Sequence, residues 1–186
     1  VRSRRQRQMC IRDSYWEWGQ GAVGSPADSD SLASSPYDVA EVSIDPNGRF
    51  GCARSNQGHV KCWGYNDKGQ LGHGNITTAS DGVNEMGSNL AFVPLGSNRS
   101  ASQISVGAQH ACALLDNNSV KCWGSNSYGV TGQETSTGSI GDEEGEMGDN
   151  LPTIDLGSGR TATQISSGSY HTCLLYTSDA ADDSLR

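Results

Sequence analysis

A ten-residue stretch occurs twice, sixty positions apart, and it constrains the fold more than any other feature of the chain. Val60-Lys61-Cys62-Trp63-Gly64-Tyr65-Asn66-Asp67-Lys68-Gly69 returns as Val120-Lys121-Cys122-Trp123-Gly124-Ser125-Asn126-Ser127-Tyr128-Gly129. The residues leading in match as well, since Cys52 precedes Cys62 by ten positions, as Cys112 precedes Cys122. A further copy opens where His171-Thr172-Cys173 follows His110-Ala111-Cys112 by sixty-one residues. Self-similarity at a fixed period marks units that bury their apolar faces on one another.

The two ends do not share the repeat. Residues Arg4 to Ser14 can be encoded by a DNA string whose reverse complement encodes Cys173 to Asp182. That DNA resembles a transposase-based sequencing-library adapter. Residues 1–14 and 173–186 are therefore expected to be translated adapter and are set aside from the fold. A basic disordered arm or a nuclear-localisation patch are the other readings of the first tail. Codons in the nucleotide record check the assignment: tails unrelated as reverse complements would overturn it. Setting aside five Arg and one Asp at one end, and one Arg and three Asp at the other, leaves 7 basic and 17 acidic residues, net −10. That balance opposes non-specific binding to nucleic acid. No apolar run approaches the ~18 residues of a membrane span.

Between the tails, glycine is frequent (24 in the whole chain) and hydrophobic residues make up only 34%, which suits short strands joined by turns. Trp18-Gly19 resembles the end of an earlier copy, and residues 20–36 read as a surface loop. Strands are expected at 39–44, 50–54, 59–64, 103–106, 111–115 and 119–123, with outer strands at Leu90–Leu95 and Leu151–Leu156, where a Pro suits an edge. Each unit then offers about four strands, the content of a propeller blade. The expected fold is all-β, a partial β-propeller of two to three four-stranded blades. Its units run about 39–98, 99–160 and a truncated 161–172.

Hairpin geometry locates the cysteines. A three-residue loop Asn56-Gln57-Gly58 puts Gly58 at the left-handed position, and Asn118 takes that place in the second copy. Counting outward sets Cys52 opposite Cys62, and Cys112 opposite Cys122, at non-hydrogen-bonded positions that accept a disulfide. Reduced, buried cysteines are the alternative. A zinc site with His59 lacks four ligands at the usual spacing. Cys10 and Cys173 are expected to stay free. Alternation puts Cys112, Leu114, Val120 and Cys122 on one face, and Leu115, Lys121 and Trp123 on the other, so each hairpin is sandwiched between neighbours. Trp63 and Trp123 are read as packing residues rather than as interface anchors.

These residues carry a family resemblance. His110-Ala111-Cys112-Ala113-Leu114, Val120 to Asn126 with Gly129, and Gly69-Gln70-Leu71-Gly72 resemble the repeat of the regulator of chromosome condensation family. The resemblance covers most of 15–172 and implies a seven-bladed propeller, the missing blades lying in a longer protein. Phe50 stands where the repeat usually has His, Val130-Thr131 replace Gln-Leu, and Pro46 interrupts the first inner segment. Trp63, Gly64, Asn66, Gly69, His110, Trp123, Gly124, Asn126, Gly129 and His171 are read as structural repeat positions.

No catalytic constellation is found. The histidines recur once per unit, whereas a nucleophile-base pair needs one unique site. No cofactor or metal is expected. The acidic stretch 141–150 invites a calcium reading, but it lacks the alternating Asp/Asn spacing of calcium loops and is expected to be a solvated loop. The expected function is a non-catalytic module binding another protein. The alternatives are a guanine-nucleotide exchange factor for a small GTPase, by resemblance, and a propeller-type enzyme inhibitor. Acceptor sequons at Asn75, Asn98 and Asn117, with the cysteine pairs, point to an extracellular or secreted protein. A cytoplasmic or nuclear location is the alternative.

Overall fold

A computed structural model describes residues 39–79, 85–86, 89–134 and 138–178. The basic tail, Trp18-Gly19, the loop at 20–36 and most of 81–89 lie outside the described residues. Among the described residues nine strands run in chain order: β1 (Val39–Ile44), β2 (Phe50–Ser55), β3 (Val60–Gly64), β4 (Ala101–Val106), β5 (His110–Leu115), β6 (Val120–Ser125), β7 (Ser139–Ile140), β8 (Arg160–Ser167) and β9 (Thr172–Ser178). A one-turn 3-10 helix, Gly148–Asn150, precedes the third unit. The strands form three antiparallel sheets, ordered β1-β2-β3, β4-β5-β6-β7 and β8-β9. The chain is all-β and builds successive blades of a partial propeller.

The hairpin register follows from its turn. Ser55 N–H donates to His59 O at 2.9 Å and Gly58 N–H to Ser55 O at 2.9 Å, with Gly58 at φ +81°. Leu115, Ser119 and Asn118 repeat this, with Asn118 at φ +64°. Five residues out, Cys52 faces Cys62 and Cys112 faces Cys122. Their Sγ atoms lie 2.06 and 2.08 Å apart, at disulfide distance. Pro46 does not interrupt a strand: β1 ends at Ile44, and Pro46 sits in a turn capped by Asp45. That carboxylate accepts Asn47 N–H at 2.9 Å and Arg49 N–H at 3.1 Å. Phe50 occupies the register position of His110, opposite Gly64 as His110 is opposite Gly124, and is buried.

The fourth strand is not where apolar content placed it. Segments 90–95 and 151–156 form no strand; each touches the hairpin edge through one backbone bond, Val93 N–H to Val60 O and Ile154 N–H to Val120 O, both 2.8 Å. Edge pairing instead comes from β7, with Ile140 on Gly124, and from a single bridge of Ala79 on Gly64. A proline in each apolar segment removes a ladder donor, so those residues serve the core through their side chains. β9 runs through Cys173 to Ser178, into the stretch set aside as tail, and pairs with β8 along its length.

Among the described residues the core forms two clusters, and both lie between blades. Phe50, Cys52, Val60, Cys62, Ile104, Ala111, Leu115 and Trp123 belong to the first. Cys112, Leu114, Val120, Cys122, Ala162 and Ile165 belong to the second. Each disulfide therefore sits on the face covered by the following unit. Trp123 is fully buried and donates its indole N–H to Gln70 O at 3.0 Å, whereas Trp63 is only half-buried.

The innermost strands are tied by side chains. Glu41 Oε2 accepts Ile104 N–H at 3.1 Å, and Ser43 Oγ accepts Val106 N–H at 3.0 Å. One unit later Gln103 Oε1 accepts Ile165 N–H at 2.9 Å, and Ser105 Oγ accepts Ser167 N–H at 2.7 Å. Each inner strand thus satisfies backbone donors that the next would otherwise leave buried and unpaired.

This geometry orders the effects of substitution. Trp123→Ala is expected to cost about 3–5 kcal/mol, and Trp63→Ala clearly less, because only the first leaves a closed cavity. Replacing Cys112 and Cys122 together by Ala is expected to cost about 2–3 kcal/mol through the loop-closure term. Denaturant melts measure both. Non-reducing peptide mapping should give Cys52–Cys62 and Cys112–Cys122 with Cys173 free.

Candidate functional site

The loop end of the blades starts from two asparagines that leave the hairpins. Asn66 is buried; its amide donates to Asn75 O at 2.8 Å and Thr77 O at 3.0 Å, and its Oδ1 accepts Leu71 N–H at 2.9 Å. Asn126 accepts Thr131 N–H at 3.3 Å and Thr131 O–H at 2.6 Å, and donates to Gln133 O at 3.2 Å. Thr131 can therefore replace the leucine of the first copy: its hydroxyl is satisfied inside the loop. Gly124 precedes this loop at φ +101°, where a Cβ would also lie 2.5 Å from Gln109 O, and Gly64 is its counterpart at φ +105°. Gly69 and Gly129 close the first turn of each loop through bonds to Asn66 O and Asn126 O.

His110 joins two units. It is 1% exposed, and its Nε2 lies 2.9 Å from Thr172 Oγ1. Thr172 gives its hydroxyl proton to Val130 O at 2.9 Å, so His110 Nε2–H must be the donor to Thr172. The proton thus sits on Nε2 of a neutral ring. His171, at the equivalent position, is exposed: nothing among the described residues covers it as the third unit covers His110.

Two lysines occupy one repeat position on the face towards the preceding blade. Lys121 is buried and donates to Gly148 O at 2.7 Å. Lys61 sets its ammonium 4.7 Å from the centre of the Phe92 ring. Burial lowers the pKa of both. Neighbouring Asp149 binds Ser97 through its backbone N–H and hydroxyl, which hold its carboxyl below the usual range.

The acidic loop folds around its own carboxylate. Glu146 Oε2 accepts the N–H groups of Gly141, Asp142 and Glu143 at 2.7, 3.1 and 3.1 Å. The loop lies on the first unit, Gly74 N–H donating to Gly141 O at 3.1 Å. With Glu146 committed to backbone donors, Glu143 and Glu144 point to solvent, and Asp142 is half-buried. Partial burial, with Glu146 and Glu143 nearby, raises the Asp142 pKa. No group of three metal-ligating side chains occurs among the described residues.

The other expected positions fall on the surface. Asn75, Asn98 and Asn117 are exposed, in loops or turns. Asn75 accepts Thr77 N–H at 2.9 Å, and Asn117 accepts Ser119 O–H at 2.7 Å, so each sequon is held in a local turn. The inner-strand clamp of Glu41, Ser43, Gln103 and Ser105 was missed in the sequence. Its signal is the recurrence of Glu41-Val42-Ser43, Gln103-Ile104-Ser105 and Gln164-Ile165-Ser166 ahead of each hairpin.

His110 gives the blade junction a pH dependence. Burial first, then His171, pushes its pKa down to about 4, while in an unfolded chain it titrates near ~6.5. Between those values the unfolded chain takes up a proton that the folded one refuses. The contribution is fully present above about pH 6.5 and is lost as pH falls towards 4, by roughly 3 kcal/mol for this group. Chemical denaturation across that window is expected to show the slope, and His110→Phe, the residue type of the first unit, to flatten it.

Comparison with known proteins agrees with this geometry. The "Regulator of chromosome condensation (RCC1) repeat" matches residues 42–70 and 101–130 in one family description and 57–114 in another. Among solved structures, human WBSCR16 is 22% identical with a TM-score of 0.51, over 78% of this chain and 33% of its own. The complex of Kap60 bound to yeast RCC1 (Prp20) gives 20% and 0.55, over 77% and 28%. Prp20p from Saccharomyces cerevisiae gives 11% and 0.58, over 79% and 33%. The chain thus spans about a third of the length of the solved structures it matches. Repeated hairpins and an inter-blade tryptophan agree with these matches: residues 42–130 resemble the regulator of chromosome condensation repeat, and the chain forms part of a β-propeller.

Proposed function

We propose that the chain is a non-catalytic protein-interaction module whose loop end receives a basic segment of a partner protein. One observation carries this reading. The polar repeat residues are engaged in holding the blades, while the acidic loop turns Glu143 and Glu144 to solvent on a scaffold of net −10 outside the tails. His110, Asn66, Asn126 and Lys121 all have partners inside the fold. Acidic surfaces of this kind favour cationic partners and speed their encounter. The Prp20p structure is described together with binding to Gsp1p and histones, and histones are basic; that supports the same class of partner here. Exchange on a small GTPase is the second reading, and it rests on the family resemblance alone. Two hairpin disulfides and three exposed sequons favour an oxidising, extracellular setting.

A Lys/Arg-rich histone-tail peptide is the probe. Calorimetry is expected to show binding that weakens as salt rises, and the variant with Glu143→Gln and Glu144→Gln is expected to bind about tenfold more weakly. Equal binding by that variant would overturn the reading. Glycosidase treatment after secretory expression is expected to lower the mass; an unchanged mass removes the support from the sequons.

A further inference from the structure

The turn between β1 and β2 is built differently from its counterparts in the next two units. It closes from Asp45 N–H to Phe50 O at 2.9 Å, whereas the second unit closes from Gly107 N–H to His110 O and the third from Gly168 N–H to His171 O. The longer first turn holds Asn47-Gly48, the one Asn-Gly pair of the sequence. An asparagine side chain can be attacked by the backbone nitrogen of the residue after it, and glycine at that place offers the least hindered nitrogen. Asn47 is exposed, and a Cβ at Gly48 would meet nothing within 4 Å.

The same turn keeps the reacting groups apart. Gly48 N, the nucleophile, donates its proton to Asp45 O at 2.7 Å. The Asp45 side chain is fully buried. Its Oδ1 accepts Asn47 N–H at 2.9 Å and the Asn47 side-chain amide at 3.3 Å, so the group that would leave is held as well. Its Oδ2 accepts Arg49 N–H at 3.1 Å and Arg49 Nε–H at 3.3 Å, and Arg49 reaches on to Ala108 O of the second unit at 3.3 Å. Attack on the Asn47 carbon needs the Gly48 and Asn47 bonds broken together, which is a local opening of the turn.

We propose that Asn47 is a deamidation site, gated by Asp45, whose modification loosens the tie between the first and second units. In the open turn Gly48 N bonds to Asn47 Cγ and gives up its proton, the Cγ–Nδ2 bond breaks, and Nδ2 leaves as ammonia. Water then opens the cyclic imide at either carbonyl, leaving aspartate or isoaspartate at position 47. Nothing is oxidised or reduced, and water is the only co-reactant. Either product sets a second carboxylate beside that of Asp45, where an amide donor stood, and isoaspartate also routes the backbone through the side-chain methylene. The turn then cannot close as before, and Arg49 loses the carboxylate that aims it at Ala108. The step is irreversible, so position 47 records how long the turn has been open.

The test follows position 47 by peptide mapping and mass spectrometry while the full chain is incubated in mildly alkaline buffer, folded and in guanidinium. In denaturant, ammonia loss is expected at Asn47 ahead of every other asparagine, and in the folded chain about tenfold or more slowly. Asp45→Ala is expected to bring the folded rate close to the denatured one. Arg49→Ala leaves the carboxylate in place but removes one of its bonds; it is expected to raise the rate less, and it decides the matter where Asp45→Ala does not fold. Asn47→Asp, the product written into the sequence, is expected to unfold at lower denaturant than the uncharged Asn47→Ser. No reaction at position 47 in denaturant would overturn the site. Equal rates in the folded and denatured chain, or a folded rate that neither Asp45→Ala nor Arg49→Ala changes, would overturn the gate. Equal melts of the two variants at position 47 would overturn the link to the junction.

Discussion

A blade in this chain has no face that tolerates water, and the rest of the structure depends on that. β5 buries all six of its residues. Ala111, Ala113 and Leu115 turn to the unit before, Cys112 and Leu114 to the unit after. Each fully buried aliphatic side chain contributes about 1.5–3 kcal/mol, but only at a junction between units. Stability is thus a nearest-neighbour property, and a unit covered on one side holds roughly half of what it could. The disulfides follow the same logic, because each lies inside the junction to the following unit.

Burying a strand on both faces raises a second problem, the backbone donors that its own sheet does not use. The chain answers with side chains from the neighbouring inner strand. Glu41 and Gln103 differ in charge, yet both present an oxygen to the same N–H of the next unit. What is preserved is an acceptor of the right reach. Gln103 does more than Glu41, since its amide also donates to Ile165 O at 3.0 Å. The second junction thereby gains a reciprocal bond that the first does not have at that site, and gains it without a buried charge.

The parts of this arrangement that could be read from the sequence are those fixed by local geometry. A three-residue turn with a left-handed last position leaves one register for the hairpin, and that register pairs the cysteines. The face assignment followed from alternation alone. The outer strand could not be read in the same way. Leu90–Leu95 and Leu151–Leu156 have the apolar content of strands, and Val93, Leu95 and Leu151 are indeed buried. Each reaches the hairpin edge through a single backbone bond, with a proline in each segment, while the pairing falls to Ser139–Ile140, which has no pattern to notice. The acidic loop was legible as acidic, but not as a loop closed on Glu146.

β9 shows how far backbone pairing can run without side-chain fit. It pairs with β8 over seven residues, as regularly as the other hairpins. By the repeat, Leu175 stands where Leu114 stands and Tyr176 where Leu115 stands. Leu114 and Leu115 are 5% and 1% exposed; Leu175 and Tyr176 are 62% and 47% exposed. Leu and Tyr pair readily in a ladder, since ladder bonds are made by any residue but proline. Burial is more selective, because it needs a neighbour of matching shape. Burial departs from the repeat earlier than the sequence does: His171 and Cys173 keep the repeat residues yet are exposed, where His110 and Cys112 are buried. The strand extends mainly on backbone bonds, and its side-chain ties to the second unit come from Thr172, bonded to His110 and Val130, and from Leu174, packed against the cluster of Cys112, Leu114, Val120 and Cys122.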